Sequence, residues 1–525
     1  MRKGVSSMLF SLSVEAHPLK RLNVHLSGRV HLVESPRKLL FCRSQFSYQR
    51  FITKHVSPMR ISLLLAITIL TTSAHAANWP QFRGTDASGT GAGKPPLQFS
   101  PKTNLVWSAD LPAGHSSPVI WDKRIFLTGV DAGKLVTLAL DRASGKVLWK
   151  KTAPAEKLEA AHRISNPAAP TACTDGERVI VYFGSYGLLA YDFTGKELWR
   201  HPLPQPIVEF GAGSSPILVG DFVIQLCDSD MDSFLVAVDK RTGKEAWKTA
   251  RPSHRRGFST PFVWRHDGIE EIIVNGSLKV SSYDPKDGSL RWTCRGMARV
   301  ANASPTAGDG LLFVASWNIG GDASDRLTVP PHAEFLAQHD KNKDGSFTKD
   351  EFPAGPFKDR FTQFDLDKNG LVNKAEYEGM ADQFVQAENA IFAIKPGGRG
   401  DITSTHVVWK HNRGLPYVAS PIYHQGRVYT VRSGGMATCC DAKTGEVIYR
   451  DERLGALGDY YASLAAAEGN VFAISQKGTV TVFSGSSAPE VMARNEMGET
   501  VMSTPAIVDG RIYVRTEKHL MCFGK

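Results

Sequence analysis

The sequence predicts an all-β fold: an eight-bladed β-propeller of four-stranded antiparallel blades, closed by its N- and C-terminal strands, with a small α-helical insertion in one blade. Three observations predict it. A hairpin phrase ending in Trp recurs along the chain, and a Ser/Thr-Pro strand phrase precedes each copy. The interval from Trp292 to Trp409 is 117 residues, where the other aromatic spacings run from 40 to 50.

The N-terminal region accounts for the charge. Residues 1–60 hold eleven Lys/Arg against Glu15 and Glu34, nearly the whole formal net charge of +10. The rest of the chain is close to neutral, which gives no electrostatic case for nucleic acid. Residues 1–58 read as upstream sequence placed before the true start. Residues 59–76 read as a signal peptide: Met59-Arg60, the apolar run Ile61–Leu70, then Ala74-His75-Ala76 as the cleavage site. That apolar run is too short to span a bilayer, which takes about 20 residues. No Cys follows the site, so the expected mature chain is exported, periplasmic or extracellular, without a stable membrane anchor. Cys42 leaves with the leader, and the six remaining Cys show no metal-ligand spacing.

Residues 77–103 form an N-terminal extension, and 104–324 with 386–525 the propeller. The hairpin phrase is Ala139, Asp141, Gly145, Trp149, repeated as Ala237, Asp239, Gly243, Trp247. Variants end at Trp199, Trp292 and Tyr449, and weaker copies at Trp409 and Met492. An apolar strand enters, Asp and Gly supply the turn, and the aromatic lies on the returning strand. The second phrase stands at Ser117-Pro118, Ser215-Pro216, Thr260-Pro261, Ser304-Pro305, Ser420-Pro421 and Thr504-Pro505, with Ala169-Pro170 and Ser463-Leu464 filling the gaps. Four strands per unit and eight units make a propeller. The last unit has three strands, and Asn104–Trp107 is an orphan strand before the first unit, so their pairing is expected to close the ring.

The Ala-x-Asp-x-x-Thr/Ser-Gly-x-x-x-Trp phrase resembles the tryptophan-docking motif of the PQQ-like (pyrroloquinoline-quinone repeat) propeller family, over about 104–523 apart from the interruption. The resemblance implies that Trp149, Trp199, Trp247, Trp292 and Trp409 pack between blades.

Residues 325–385 are the inserted module, and they carry two calcium-loop patterns of the EF-hand kind. The first offers Asp340, Asn342, Asp344, Ser346, Thr348 and Glu351; the second Asp365, Asp367, Asn369, Leu371, Asn373 and Glu376. Ca²⁺ takes six to eight oxygens, here from side chains at alternate positions, a backbone carbonyl at the seventh and a bidentate Glu at the twelfth. Gly345 and Gly370 take the sharp turn, and Phe347 and Val372 suit a short strand pair joining the loops. The loops start 25 residues apart (340 to 365), which leaves room for little more than one helix between them, shortened by Pro353 and Pro356. The module is expected to overhang the face that carries the between-blade loops.

Those loops bring His115, His162, Arg163, Glu209, His254, Arg255, Arg256, Arg299, Asn302, Tyr417, Asp459, Tyr460, Tyr461 and Glu499 to that face, a ring suited to an anionic or sugar-like ligand or to a solvated funnel. Asp228, Asp230 and Asp232 form a further acidic loop, expected to be solvated or to take a cation. The favoured reading is an exported Ca²⁺-binding propeller acting as a scaffold for a small molecule or protein. The alternative is a quinoprotein dehydrogenase using PQQ and Ca²⁺ on an alcohol or sugar. For that alternative the resemblance implies a quinone stacked on a Trp, with Trp317 the candidate, and an adjacent-Cys disulfide. Cys439 and Cys440, however, sit on a strand entering a hairpin and read as ordinary blade residues. A second alternative is a propeller of the outer-membrane assembly-factor type.

Overall fold

The computed structural model describes residues 78–525 except 323, 325–327 and 486. Residues 1–76, which the sequence reads as leader and signal peptide, and with them Cys42, lie outside the described residues. Among the described residues eight blades of four antiparallel strands are present, each ordered from the axis outward, the fourth blade extended by a short parallel fifth strand. The first comprises Val119–Trp121, Arg124–Asp131, Lys134–Asp141 and Val147–Thr152. The last comprises Ala506–Val508, Arg511–Arg515 and His519–Phe523, completed by Leu105–Asp110, which pairs antiparallel with His519–Phe523 through Trp107 and Cys522. The two chain ends thus share one sheet and seal the circle.

The core lies between blades. Middle strands such as Lys134–Asp141 and Phe222–Cys227 are buried on both faces, because each blade has a neighbour on either side. Eight apolar clusters follow, one at each blade-to-blade contact. The outermost strands face solvent and are largely exposed, as in Glu245–Ala250.

The repeated Trp and Gly meet across these contacts. A Cβ on Gly145 would stand 2.5 Å from the Trp107 ring of the preceding blade, and one on Gly243 would stand 2.6 Å from Trp199. Both glycines have positive φ, so close approach and backbone geometry demand the same residue. Each indole N–H then donates to a carbonyl of the next blade: Trp107 to Arg142, Trp149 to Phe193, Trp199 to Lys240, Trp247 to Pro285 and Trp409 to Ala442, all at 2.9–3.1 Å. Trp292 departs from this. Its indole donates instead to Glu271 Oε2 of its own blade at 3.1 Å. The next blade has no Asp-to-Gly hairpin there; its segment Gly400–Asp401 pairs in parallel with Leu290–Arg295.

The fifth blade consists of Thr306–Gly308, Leu311–Ser316, Ala390–Ile394 and Val407–His411. Between its second and third strands come α1 (His332–His339), α2 (Pro356–Asp359), α3 (Phe361–Phe364) and α4 (Lys374–Gln386). Two short helices thus fill the space that the loop spacing left for one. The four helices close over Phe335, Phe347, Phe364, Tyr377 and Phe384, a core separate from the blades.

On the opposite face the N-terminal extension crosses the axis. Trp79 bridges Ile120 of the first blade, Gly91 donates to Ala466 of the seventh, and Ala92 accepts from Gly510 of the eighth. Between these contacts Arg83 is fully buried and donates to Pro305 O and Pro421 O at 3.1 and 2.6 Å. Nothing in the composition of residues 77–103 pointed to this plug.

Candidate functional site

A cavity of about 550 Å³ occupies the axis, between the between-blade loops and the inserted module. Its floor includes Phe82 of the plug, and its roof includes Arg360, Gln363, Met380 and Gln383 of the module. Around the wall run eight hydroxyl residues, one per blade: Ser117, Thr171, Ser215, Thr260, Ser304, Ser420, Ser463 and Thr504. Each backbone N–H donates to the hydroxyl of the following blade, at 2.9–3.1 Å, and Thr504 N–H closes the circuit on Ser117 Oγ. The innermost strand of each blade has no strand beyond it, so its edge amide needs another acceptor, and the neighbouring hydroxyl supplies it. In the second blade the hydroxyl belongs to Thr171, which directly follows the Ala169-Pro170 pair expected from the sequence to fill that place.

Of the expected face residues, His115, Glu209, Arg255, Arg256, Arg299, Asn302, Trp317, Tyr417 and Tyr461 line the cavity. Others do not. Tyr460 is 2% exposed and packs into the core between blades six and seven, its hydroxyl donating to Ala456 O. Successive residues diverge there, and Tyr461 takes the funnel side. His162 packs on Phe210 at 4.9 Å, and Arg163 is exposed to solvent. His254 is buried, with its pKa held well below the usual imidazole value by desolvation and by Arg251. Glu499 accepts from Thr516 Oγ1 and contacts His519 Nδ1. Phe82, Phe210, Phe258 and the hydroxyl ring are cavity groups that site reasoning from sequence missed. The Ser/Thr-Pro recurrence is the signal in the sequence for that ring, since the hydroxyl stands at the same place in seven of the eight units.

The electrostatics follow from pairing. Asp230 binds Arg256 through both oxygens at 2.8 and 2.6 Å, and Glu209 takes the same guanidinium at 3.0 Å. Asp228 lies beneath, buried and bidentate to Arg251 at 2.7 and 2.9 Å. Asp228 and Asp230 are therefore neither solvated nor free for a cation, because arginines already neutralise them, whereas Asp232 is exposed to solvent as expected. Burial and the Arg515 guanidinium push His115 down to about 4, so it is neutral at pH 7. Arg255 donates to Asp230 O at 3.1 Å. Arg299 places its guanidinium 4.2 Å from the Phe384 ring centre and donates to Gln363 Oε1, tying the module to the propeller.

A quinone–calcium pair does not suit this funnel. Among the described lining residues its two acids, Glu209 and Asp230, are both committed to Arg256. Cys439 and Cys440 are free thiols whose side chains enter two different cores, between blades six and seven and between five and six.

The module offers another donor set. Phe347–Thr348 pairs antiparallel with Leu371–Val372, Phe347 opposite Val372. In each loop the sixth-position Gly has positive φ, and its N–H donates to the first-position Asp. Asn373 caps α4, with the Glu376 side chain reaching back to its N–H. Carboxylate oxygens of Asp365, Asp367 and Glu376 lie within 4.8 Å of one another. Asp365 Oδ1 is buried without a hydrogen-bond partner. In the first loop Asp340 Oδ1 accepts from Lys343 N–H at 2.7 Å.

A family model described as outer membrane protein assembly factor BamB matches residues 98–266 and 231–329. No curated protein matches significantly. Similar solved structures include BamB from Moraxella catarrhalis (12% identity, 80% of this chain and 98% of that one, TM-score 0.48). Others are the computationally designed Ika8 protein (11% identity, 80% and 99%, TM-score 0.51) and quinohemoprotein alcohol dehydrogenase from Comamonas testosteroni (12% identity, 87% and 82%, TM-score 0.50). At such identity the likeness is one of fold. The ring of eight blades and the Trp–Gly docking make this chain an eight-bladed β-propeller, and the family match over 98–329 supports a PQQ-like repeat.

Proposed function

We propose that this protein is an exported Ca²⁺-binding scaffold: a propeller that holds a ligand or partner at its funnel, roofed by an EF-hand pair that takes Ca²⁺ in both loops. The observation that carries the calcium half is the convergence of Asp365, Asp367 and Glu376 around a buried, unpartnered Asp365 oxygen. A buried carboxylate oxygen without a donor is costly unless a cation meets it. Asn369 and Asn373 side chains and the Leu371 carbonyl complete that set; Asp340, Asn342, Asp344, Ser346, Thr348 and Glu351 form the other. The second loop binds more tightly, since its carboxylates already converge. The scaffold half is supported by the roofed cavity and by the match to a family described as an assembly factor. Export rests on the signal-peptide pattern at 59–76; among the described residues no helix is long and apolar enough to cross a membrane.

Calorimetry of the full chain with CaCl₂ tests this. Two sites are expected, with Kd of about 10⁻⁴–10⁻³ M or tighter, the range useful outside the cell. Glu376→Gln is expected to remove the tighter site and Glu351→Gln the weaker. Absence of binding up to 10 mM Ca²⁺, about tenfold above that range, refutes the calcium reading.

A further inference from the structure

The funnel holds unsatisfied hydrogen-bonding groups of both kinds. The eight ring hydroxyls, Ser117 through Thr504, are each 2–4% exposed and each accept one backbone N–H. Among the described residues none of them has a protein acceptor for its own hydrogen, so eight O–H donors remain on the cavity wall. On the roof, Gln383 is 6% exposed and its Oε1 has no donor. Arg255 lines the same space, its guanidinium hydrogen-bonded to a neutral carbonyl and in no ion pair among the described residues. Phe82, Phe258 and Trp317 add apolar ring surface.

These demands select a chemistry. Sulfate satisfies the hydroxyls and Arg255 but brings no hydrogen to Gln383, and phosphate, which keeps a P–OH at neutral pH, offers no apolar face to Phe82, Phe258 and Trp317. A neutral sugar brings Arg255 no charged acceptor, and the Asp230 and Glu376 carboxylates act on it only at a distance. An aromatic carboxylate stacks on the rings but lacks donors. A saccharide bearing a carboxylate answers every group: hydroxyl oxygens for the ring, hydroxyl hydrogens for Gln383, a charge for Arg255 and C–H faces for the aromatics. We propose that the funnel binds a short acidic saccharide of the uronic-acid type. The cavity volume of about 550 Å³ lies in the ordinary range for small-molecule sites. The assignment rests on the ligand-binding reading of the funnel and names its ligand class.

Calorimetry of the full chain in saturating Ca²⁺ tests it, with digalacturonate as probe and cellobiose, inorganic phosphate and terephthalate as comparisons. Digalacturonate is expected to bind at least about tenfold more tightly than cellobiose. Arg255→Met is expected to weaken it about tenfold or more and Gln383→Met by roughly three- to tenfold, as for one charged and one neutral hydrogen bond. Both variants are to be checked for wild-type melting temperature and calcium stoichiometry. No heat with digalacturonate at 10 mM, or binding that neither variant changes, overturns the proposal. If phosphate or terephthalate binds with Arg255 dependence while digalacturonate does not, the saccharide assignment falls and the ligand-binding funnel stands. Loss of the calcium sites alone leaves this inference untouched.

Discussion

Asp228→Ala removes one half of an ion pair that anchors the funnel wall. Asp228 and Arg251 have side chains 0% and 1% exposed, joined by two hydrogen bonds of 2.7 and 2.9 Å. Arg251 also donates to the Tyr283 hydroxyl, which cannot neutralise it. The variant therefore strands a guanidinium in the core between blades, and breaking such a pair costs about 3–5 kcal/mol. For a folded body of roughly 450 residues the unfolding entropy is about 0.9 kcal/mol/K, so the melting temperature should fall by about 3–5 °C. Calorimetric or fluorimetric melting measures this directly. The double variant Asp228→Ala with Arg251→Met removes both charges and should recover much of the loss. A fall of less than about 1 °C, or a double variant whose loss equals the sum of the two singles, refutes the reasoning.

Glu159 is 5% exposed, and burial pushes its carboxyl up to about 7. Its folded pKa lies above the unfolded value near 4.5, so the unfolded chain ionises first. Stability contributed by this group is present below about pH 4.5 and is lost as pH rises to about 7, by about 3 kcal/mol. The gap in melting temperature between Glu159→Gln and wild type should widen in favour of the variant over that window; a gap independent of pH contradicts it. Ser304→Ala leaves the buried Thr260 N–H without its 3.0 Å acceptor and should cost about 1–3 kcal/mol, whereas Ser304→Thr, which keeps a hydroxyl, should melt near wild type. Gly243→Ala should cost about 2–4 kcal/mol, because the position has φ near +70° and its Cβ meets the Trp199 ring. Equal melting temperatures for Gly243→Ala and wild type would mean that the docking glycines are dispensable.

The recurring Asp, Gly and Trp made the blades, their number and their closure legible, because a propeller repeats one local solution and each copy carries its own turn and docking residues. The turns at 340–351 and 365–376, with the short strand pair between them, were legible for the same reason: each pattern lies within twelve consecutive residues. Trp292 packs between blades as its repeat position implies, but its indole acceptor was not legible, since that depends on the hairpin of the next blade, and there that hairpin is absent. The funnel was less legible. Whether Tyr460 or Tyr461 faces the axis turns on one step of backbone alternation. Arg256 neutralises Asp230 and Glu209 across 26 and 47 residues of sequence. The circuit of eight hydroxyls exists only when the ring is closed, and the plug of Phe82 and Arg83 only when a segment without periodicity crosses the axis. Sequence alone determined the elements that satisfy themselves locally; the tertiary structure decided every group whose hydrogen bond or counter-charge comes from another blade.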